Sequence, residues 1–224
     1  MPIGAALVDL ALEVISLAKA MTSSPFDVAG HSLGGRIALK SLEMATEQIE
    51  AVIMLDIGPG PLSDGLAAGP MMRLLVEAPS RFRSRKEARD HLISRGADRT
   101  SANWLALNLG PAEDKGWVEW RIDRREVARF HERQSKEDLW HVLNETMRHP
   151  GRVICIRGGD SRYIDDSDAE RMEALGVEVA TVPGAGHFFS GKAREELTRL
   201  LSKISLTAPC LGCNARGDLH TSRG

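Results

Sequence analysis

The sequence has no excess of either charge: 29 Lys and Arg against 31 Asp and Glu leave a formal net charge of -2 over 224 residues. That balance provides no field to draw in nucleic acid or an anionic membrane surface, and neither is expected as a partner. An uninterrupted hydrophobic run of membrane length is also missing. The most apolar stretch near the start, residues 3–21, is broken by Asp9, Glu13 and Lys19 and has no basic residue ahead of it, so it reads neither as a membrane span nor as a secretory signal. Cysteine is scarce, and three residues give no disulfide framework, so a reducing intracellular compartment is expected rather than secretion. Cys155 falls inside an apolar run, in the role of a small buried hydrophobe. Cys210 and Cys213 form a C-x-x-C, but a zinc site needs about four ligands and only His220 is near, so no metal or cofactor is expected. Residues 206–224 read as a disordered tail.

What is present, 42% hydrophobic residues, is enough to bury one sizeable core. Four short apolar runs, 26–30, 51–56, 152–158 and 177–184, read as buried strands. Helical patterns lie beside them at 4–21, 33–47, 167–175 and 192–204; in the first, Leu7, Leu10, Ala11, Val14, Leu17, Ala18 and Met21 recur at helical steps. Alternating strands and helices predict an α/β fold, a parallel sheet covered on both faces. Residues 62–148 interrupt the alternation and contain no convincing strand run. Instead Ser84 with Glu87, and Ser135 with Asp138, are spaced as capping boxes at helix starts. Aromatic residues are only 4% of the chain, yet all four tryptophans fall in this segment. A helical insertion at the C-terminal end of a parallel strand is placed to act as a lid over a pocket. The expected division is a core of residues 1–61 and 149–205, a helical cap of 62–148, and the tail.

Between the first strand and the helix after it, Gly30-His31-Ser32-Leu33-Gly34 satisfies G-x-S-x-G in the strand–turn–helix setting that mounts a nucleophilic serine. The bare pattern arises by chance in about one chain in fifteen of this length, so it needs partners. Glycines two before and two after the serine avoid clashes in a tight turn, and the Leu33 N–H at the helix start can face an oxyanion. A serine also needs a base, which needs a third group to orient it. His187 follows the last predicted strand in a glycine-rich loop, at the same sheet edge as Ser32. His31 is expected to point to the opposite face, His91, His131, His141 and His149 to have solvated or packing roles, and His220 to lie in the tail. Gly186, Gly191 and Lys192 match a phosphate-loop spacing, but Ala193 stands where a metal-binding hydroxyl is required.

These residues, "VAGHSLGG", "VIMLDIGP", "NWLALNL" with "EWRID", "IRGGDSRYI" and "PGAGHFF", resemble the α/β-hydrolase superfamily, and within it the YbfF-like small esterases and their eukaryotic mitochondrial relatives. The resemblance covers residues from about 5 to 205. It implies a Ser-His-Asp hydrolase of carboxylic esters or thioesters, without cofactor, and allows a mitochondrial address. In most of the superfamily the acid follows the strand before the histidine, where Ser161 stands here and Asp160 is displaced by one. In the branch resembled it maps to Asp56, which is favoured over Asp160, with Ser161 as a hydrogen-bonding accessory. Only 25 residues precede the first strand and they read as one helix, so the expected sheet lacks the superfamily's first strands and the loop with the second oxyanion donor. The unpartnered edge then invites self-association, and a non-catalytic binding protein is the alternative reading. Trp104 and Trp120 are expected in the substrate pocket, and Arg81, Arg83, Arg85 and Lys86 form either a solvated basic face or a dock for an anionic leaving group.

Overall fold

A computed structural model describes residues 6–62, 69–146 and 152–207. Predicted features on Cys210, Cys213, His149, His220 and most of the tail lie outside them. The chain starts with α1 (Leu7–Met21), followed by β1 (Phe26–His31), α2 (Leu33–Met44) and β2 (Ile49–Leu55). It returns to the same sheet with β6 (Arg152–Gly158), α8 (Asp166–Ala174), β7 (Glu178–Val182) and α9 (Lys192–Thr207). The four strands form a parallel sheet in the order β1-β2-β6-β7. The predicted α/β class is the observed one.

Both faces of the central strands β2 and β6 are covered, as their apolar runs require, whereas Asp27 and Ala29 of β1 are exposed. On one face Val52, Met54, Val153 and Cys155 pack with Ala38, Leu39 and Leu42 of α2 and Met172 of α8; on the other, Ile53, Ile154 and Ile156 pack with Phe189 and Ala193 at the start of α9. Cys155 is fully buried, and burial pushes its thiol up to about 12, the state of an inert hydrophobe. The buried face of α1 is narrower than its periodicity suggests: Leu7, Ala11 and Ile15 are covered, whereas Leu17 and Met21 are exposed. A strict four-residue step drifts around the helix, so residues at both flanks of the stripe leave the contact.

Between β2 and β6 lie α3 (Gly69–Glu77), β3 (Arg81–Phe82), α4 (Arg85–Ser94), α5 (Arg99–Ala106), β4 (Leu109–Pro111), β5 (Val118–Trp120), α6 (Arg124–Ser135) and α7 (Trp140–Thr146). The segment is mostly helical but also holds a small antiparallel sheet, β3-β5-β4, absent from the sequence reading. Strands of two and three residues are too short to show a period of two. Ser84 does cap α4, accepting from Glu87 N at 3.1 Å. Ser135 instead ends α6 and donates to Glu132 O, and Asp138 caps the next turn through Trp140 N.

Met72, Leu75, Phe82, Leu92, Leu105 and Leu109 form a core separate from the two flanking the main sheet. Trp140 belongs to neither the small sheet nor this core: with Leu139, Val142 and Leu143 it packs into the main core, under the guanidinium of Arg171 at 3.8 Å. The tryptophans therefore form no single cluster.

Candidate active site

The register of the parallel sheet sets what meets at its C-terminal edge. His31 pairs with Leu55, Leu55 with Ile156, and Gly158 with Val182, so the residues just after β1, β2, β6 and β7 emerge side by side. Ser32 leaves β1 at φ 54° and ψ -122°, outside the regions an L-residue favours, and immediately starts α2. Its N–H remains in the ladder, donating to Leu55 O at 2.9 Å, while its hydroxyl does not cap the helix. A Cβ on Gly30 would overlap the Gly34 carbonyl, so the position before the turn must be glycine. Gly34 itself has open space, and the second close approach is at Gly35, where a Cβ would stand 2.6 Å from Ile57. The spacing argument thus holds for one glycine of the motif and not for the other.

Asp56, at φ 53°, is the first residue beyond β2 and is fully buried. Its Oδ1 accepts from Gly158 N at 2.8 Å. Its Oδ2 accepts from the Ser161 hydroxyl and lies 2.8 Å from His187 Nδ1. Burial is the largest single influence and pushes its carboxyl up, but the hydrogen bonds from His187, Ser161 and Gly158 together hold it below the ordinary aspartate range. Asp160 is exposed: its backbone N–H donates to Ala185 O, and its side chain is not at the imidazole. Of the two acids weighed in the sequence, Asp56 is the one brought to His187, with Ser161 beside it.

Two neighbours fix the imidazole that the sequence did not reveal. Tyr163 stacks on it with ring centroids 3.8 Å apart and planes 16° from parallel. His31 does not point away: its Nε2 is 2.6 Å from His187 O and donates to it, so the residue before the serine holds the loop that carries the histidine. Strand alternation misleads here because His31 is the last residue of β1, at the entry to a positive-φ turn. Burial lowers the pKa of His31, which outweighs the opposing bond to the His187 carbonyl, and the ring is neutral at pH 7.

Ser32, Leu33, His31 and His187 line a cavity of about 600 Å³ whose remaining wall includes residues of α3, α5 and α6. Trp104 is on that wall, its ring 5.7 Å from Phe188. Trp120 is not: it packs edge-on against Phe82 and donates to Pro79 O at 2.8 Å. His131, read as a solvated or packing residue, lines the cavity from α6. The basic cluster is occupied elsewhere. Arg81 pairs with Asp114, Lys86 with Asp90, Arg85 donates to Leu109 O, and Arg83 lies over Trp117.

One buried cation joins the parts. Arg36, only 2% exposed on α2, donates to the carbonyls of Gly58 (3.2 Å) and Gly60 (2.7 Å) beyond Asp56, and to Glu137 O just after α6. Helix α2, the loop after Asp56 and the end of α6 therefore share one guanidinium.

Comparison with known proteins bears on the family and the fold. Residues 3–200 match the model of the alpha/beta hydrolase family. The sn-1-specific diacylglycerol lipase ABHD11 of Mus musculus is 25% identical over 171 residues, 73% of this chain and 53% of the relative; the Xenopus laevis protein of the same name is 25% identical over 167 residues. The chain thus spans about half the length of these curated relatives. Among solved structures, a marine microorganism esterase superposes with a TM-score of 0.73 at 19% identity, covering 91% of this chain and 78% of that one. The E-2-(acetamidomethylene)succinate hydrolase superposes with a TM-score of 0.72 at 17% identity, covering 90% and 74%.

Proposed function

This chain belongs to the alpha/beta hydrolase family, and from that premise we propose that it hydrolyses carboxylic esters or thioesters through Ser32, His187 and Asp56. The observation that carries the reading is the 2.8 Å contact between a fully buried carboxylate and His187 Nδ1 on the rim of the cavity that Ser32 lines. Asp56 accepts the Nδ1 proton, which leaves Nε2 as the basic nitrogen. Nε2 takes the proton from Ser32 Oγ as Oγ attacks the acyl carbon. The oxyanion turns toward the Leu33 N–H, one of the first amides of α2, which have no partner within the helix. Collapse returns the proton to the departing alcohol or thiol. Water then enters, loses a proton to His187 as it attacks the acyl carbon, and His187 returns that proton to Ser32 Oγ as the acid leaves.

In the same proposal residues 62–148 act as the cap and residues 1–61 with 149–205 as the catalytic core, because α3, α5 and α6 supply residues that line the cavity with Ser32. Among the described residues no helix is long and apolar enough to cross a membrane.

The test is labelling by a fluorophosphonate probe, which mimics the acyl centre. The unmodified protein is expected to be labelled, with the adduct mapped to Ser32, while Ser32→Ala and His187→Ala are not. Asp56→Asn is expected to label far more slowly and Asp160→Asn at the normal rate. Equal labelling of the unmodified protein and Ser32→Ala removes the assignment. A loss in Asp160→Asn with Asp56→Asn unaffected moves the acid.

A further inference from the structure

The part of the cavity wall built by α5 and α6 carries polar side chains of two kinds. Some are satisfied within their own segments: Asp98 caps α5 by accepting from Thr100 N, Ser101 N and the Ser101 hydroxyl, and Ser135 donates to Glu132 O. His131 and Gln134 are different. They stand three residues apart on α6, which puts them on one face of the helix, and both line the cavity. Gln134 is 5% exposed, and its Oε1 is buried with no hydrogen-bond partner among the described residues. His131 makes no hydrogen bond through its ring to any described residue; burial lowers its pKa, so it stands neutral, with one donor and one acceptor.

A buried amide oxygen without a partner destabilises the fold, so its presence in a cavity wall needs a reason. Both ends of α6 are held firmly. Asp123 caps its start through Arg125 N and Glu126 N, and the Glu137 carbonyl just past its end accepts from Arg36, the cation of the nucleophile helix. The wall is therefore built to a fixed position relative to Ser32. Its chemistry also limits the ligand. Asp98 is committed to its cap, and Arg36, which also lines the cavity, spends its terminal nitrogens on backbone carbonyls while its buried Nε has no partner among the described residues, whereas the groups that α6 itself brings to the cavity, His131 and Gln134, are neutral. A hydroxyl matches them, because it donates to a carboxamide oxygen or an imidazole nitrogen and accepts from the N–H of either. It also serves whichever way the Gln134 amide is turned.

We propose that His131 and Gln134 form a recognition site for a neutral hydroxyl carried by the ester, and that the enzyme selects hydroxylated esters over their deoxy counterparts. This deepens the hydrolase reading and rests on it for the reaction. The pairing of an unfilled amide with a neutral imidazole is independent of which residues do the chemistry.

The experiment compares ethyl hexanoate, ethyl 3-hydroxyhexanoate and 2-hydroxyethyl hexanoate, hydrolysed by the unmodified protein, Gln134→Met and His131→Phe, with acid release followed by pH-stat. A site that hydrogen-bonds a substrate hydroxyl discriminates strongly against its absence. At least one hydroxylated ester is expected to exceed ethyl hexanoate in kcat/KM by about 10-fold or more. That ratio is expected to fall toward one in Gln134→Met and His131→Phe, whatever change each makes to the hydrolysis of ethyl hexanoate itself. Gln134→Met removes an unsatisfied buried amide, so its melting temperature is expected to stay level or rise, which separates lost recognition from lost folding. Calorimetric titration of Ser32→Ala with the same three esters reads the preference without turnover, so an inactive protein still returns an answer. Ratios within twofold in the unmodified protein for both hydroxylated esters, or a preference unchanged in both variants, or equal binding by Ser32→Ala, overturn the proposal.

Discussion

Asp56 carries three hydrogen bonds on two oxygens in a fully buried position, and the proposed chemistry concentrates there. Replacing it with asparagine reverses the group that orients His187 Nδ1, and kcat is expected to fall by about 10⁴-fold, as it does when other Ser-His-Asp sites lose their carboxylate. Its pKa is lowered on folding, so its contribution to stability is full above the ordinary aspartate value of about 4 and is lost as the pH falls through the lower native value. Thermal melting from pH 7 to pH 3 should therefore show Asp56→Asn less stable at neutral pH, with the gap to the unmodified protein narrowing below about pH 4; a gap independent of pH would contradict this. At this scale the sequence was legible where a motif marks the residue. Ser32 and His187 follow from motif and chain order, and Asp56 from the resemblance, whereas His31 was misplaced by strand alternation. Gln134 carries no spacing signal, because facing a cavity leaves no pattern along the chain, and Tyr163 stands in the stretch "IRGGDSRYI" that carried the resemblance, which did not show its stacking on His187.

At the scale of elements, the turn into α2 and its attachment to the insertion have separable tests. Gly30→Ala drives a methyl into the Gly34 carbonyl, a backbone atom that cannot move aside, and is expected to cost about 3 kcal/mol or prevent folding. Gly34→Ala finds open space in a helix and should leave the melting temperature unchanged or raise stability by about 0.5–1 kcal/mol. If the two substitutions behave alike, the crowding at Gly30 is not what the turn depends on. Arg36→Met strands the carbonyls of Gly58, Gly60 and Glu137 without their donor, and chemical denaturation should show a loss of about 3 kcal/mol or more. Strands β2 and β6 were readable as continuous apolar runs, and β1 and β7 as short apolar stretches interrupted by Asp27 and Thr181. The strands of the small sheet were not, since Arg81–Phe82 and Val118–Trp120 are too short for any pattern and are held by pairing across the insertion.

Across the whole molecule the parallel sheet ends, among the described residues, on β1, which pairs with β2 alone. An edge strand with unpaired amides and carbonyls is a template for another chain. Sedimentation velocity at increasing concentration is expected to show self-association, and lysine at the exposed Ala29 of that strand should shift the protein toward the monomer; a sedimentation coefficient flat with concentration removes this expectation. The same whole-chain view gives the stacked ring beside His187 a second use. Tyr163 is the one tyrosine in 224 residues, and it lies 3.8 Å from the imidazole. Growth on fluorinated tyrosine would therefore put a single fluorine resonance in the spectrum, a reporter on the surroundings of His187 that needs no inhibitor or mutation.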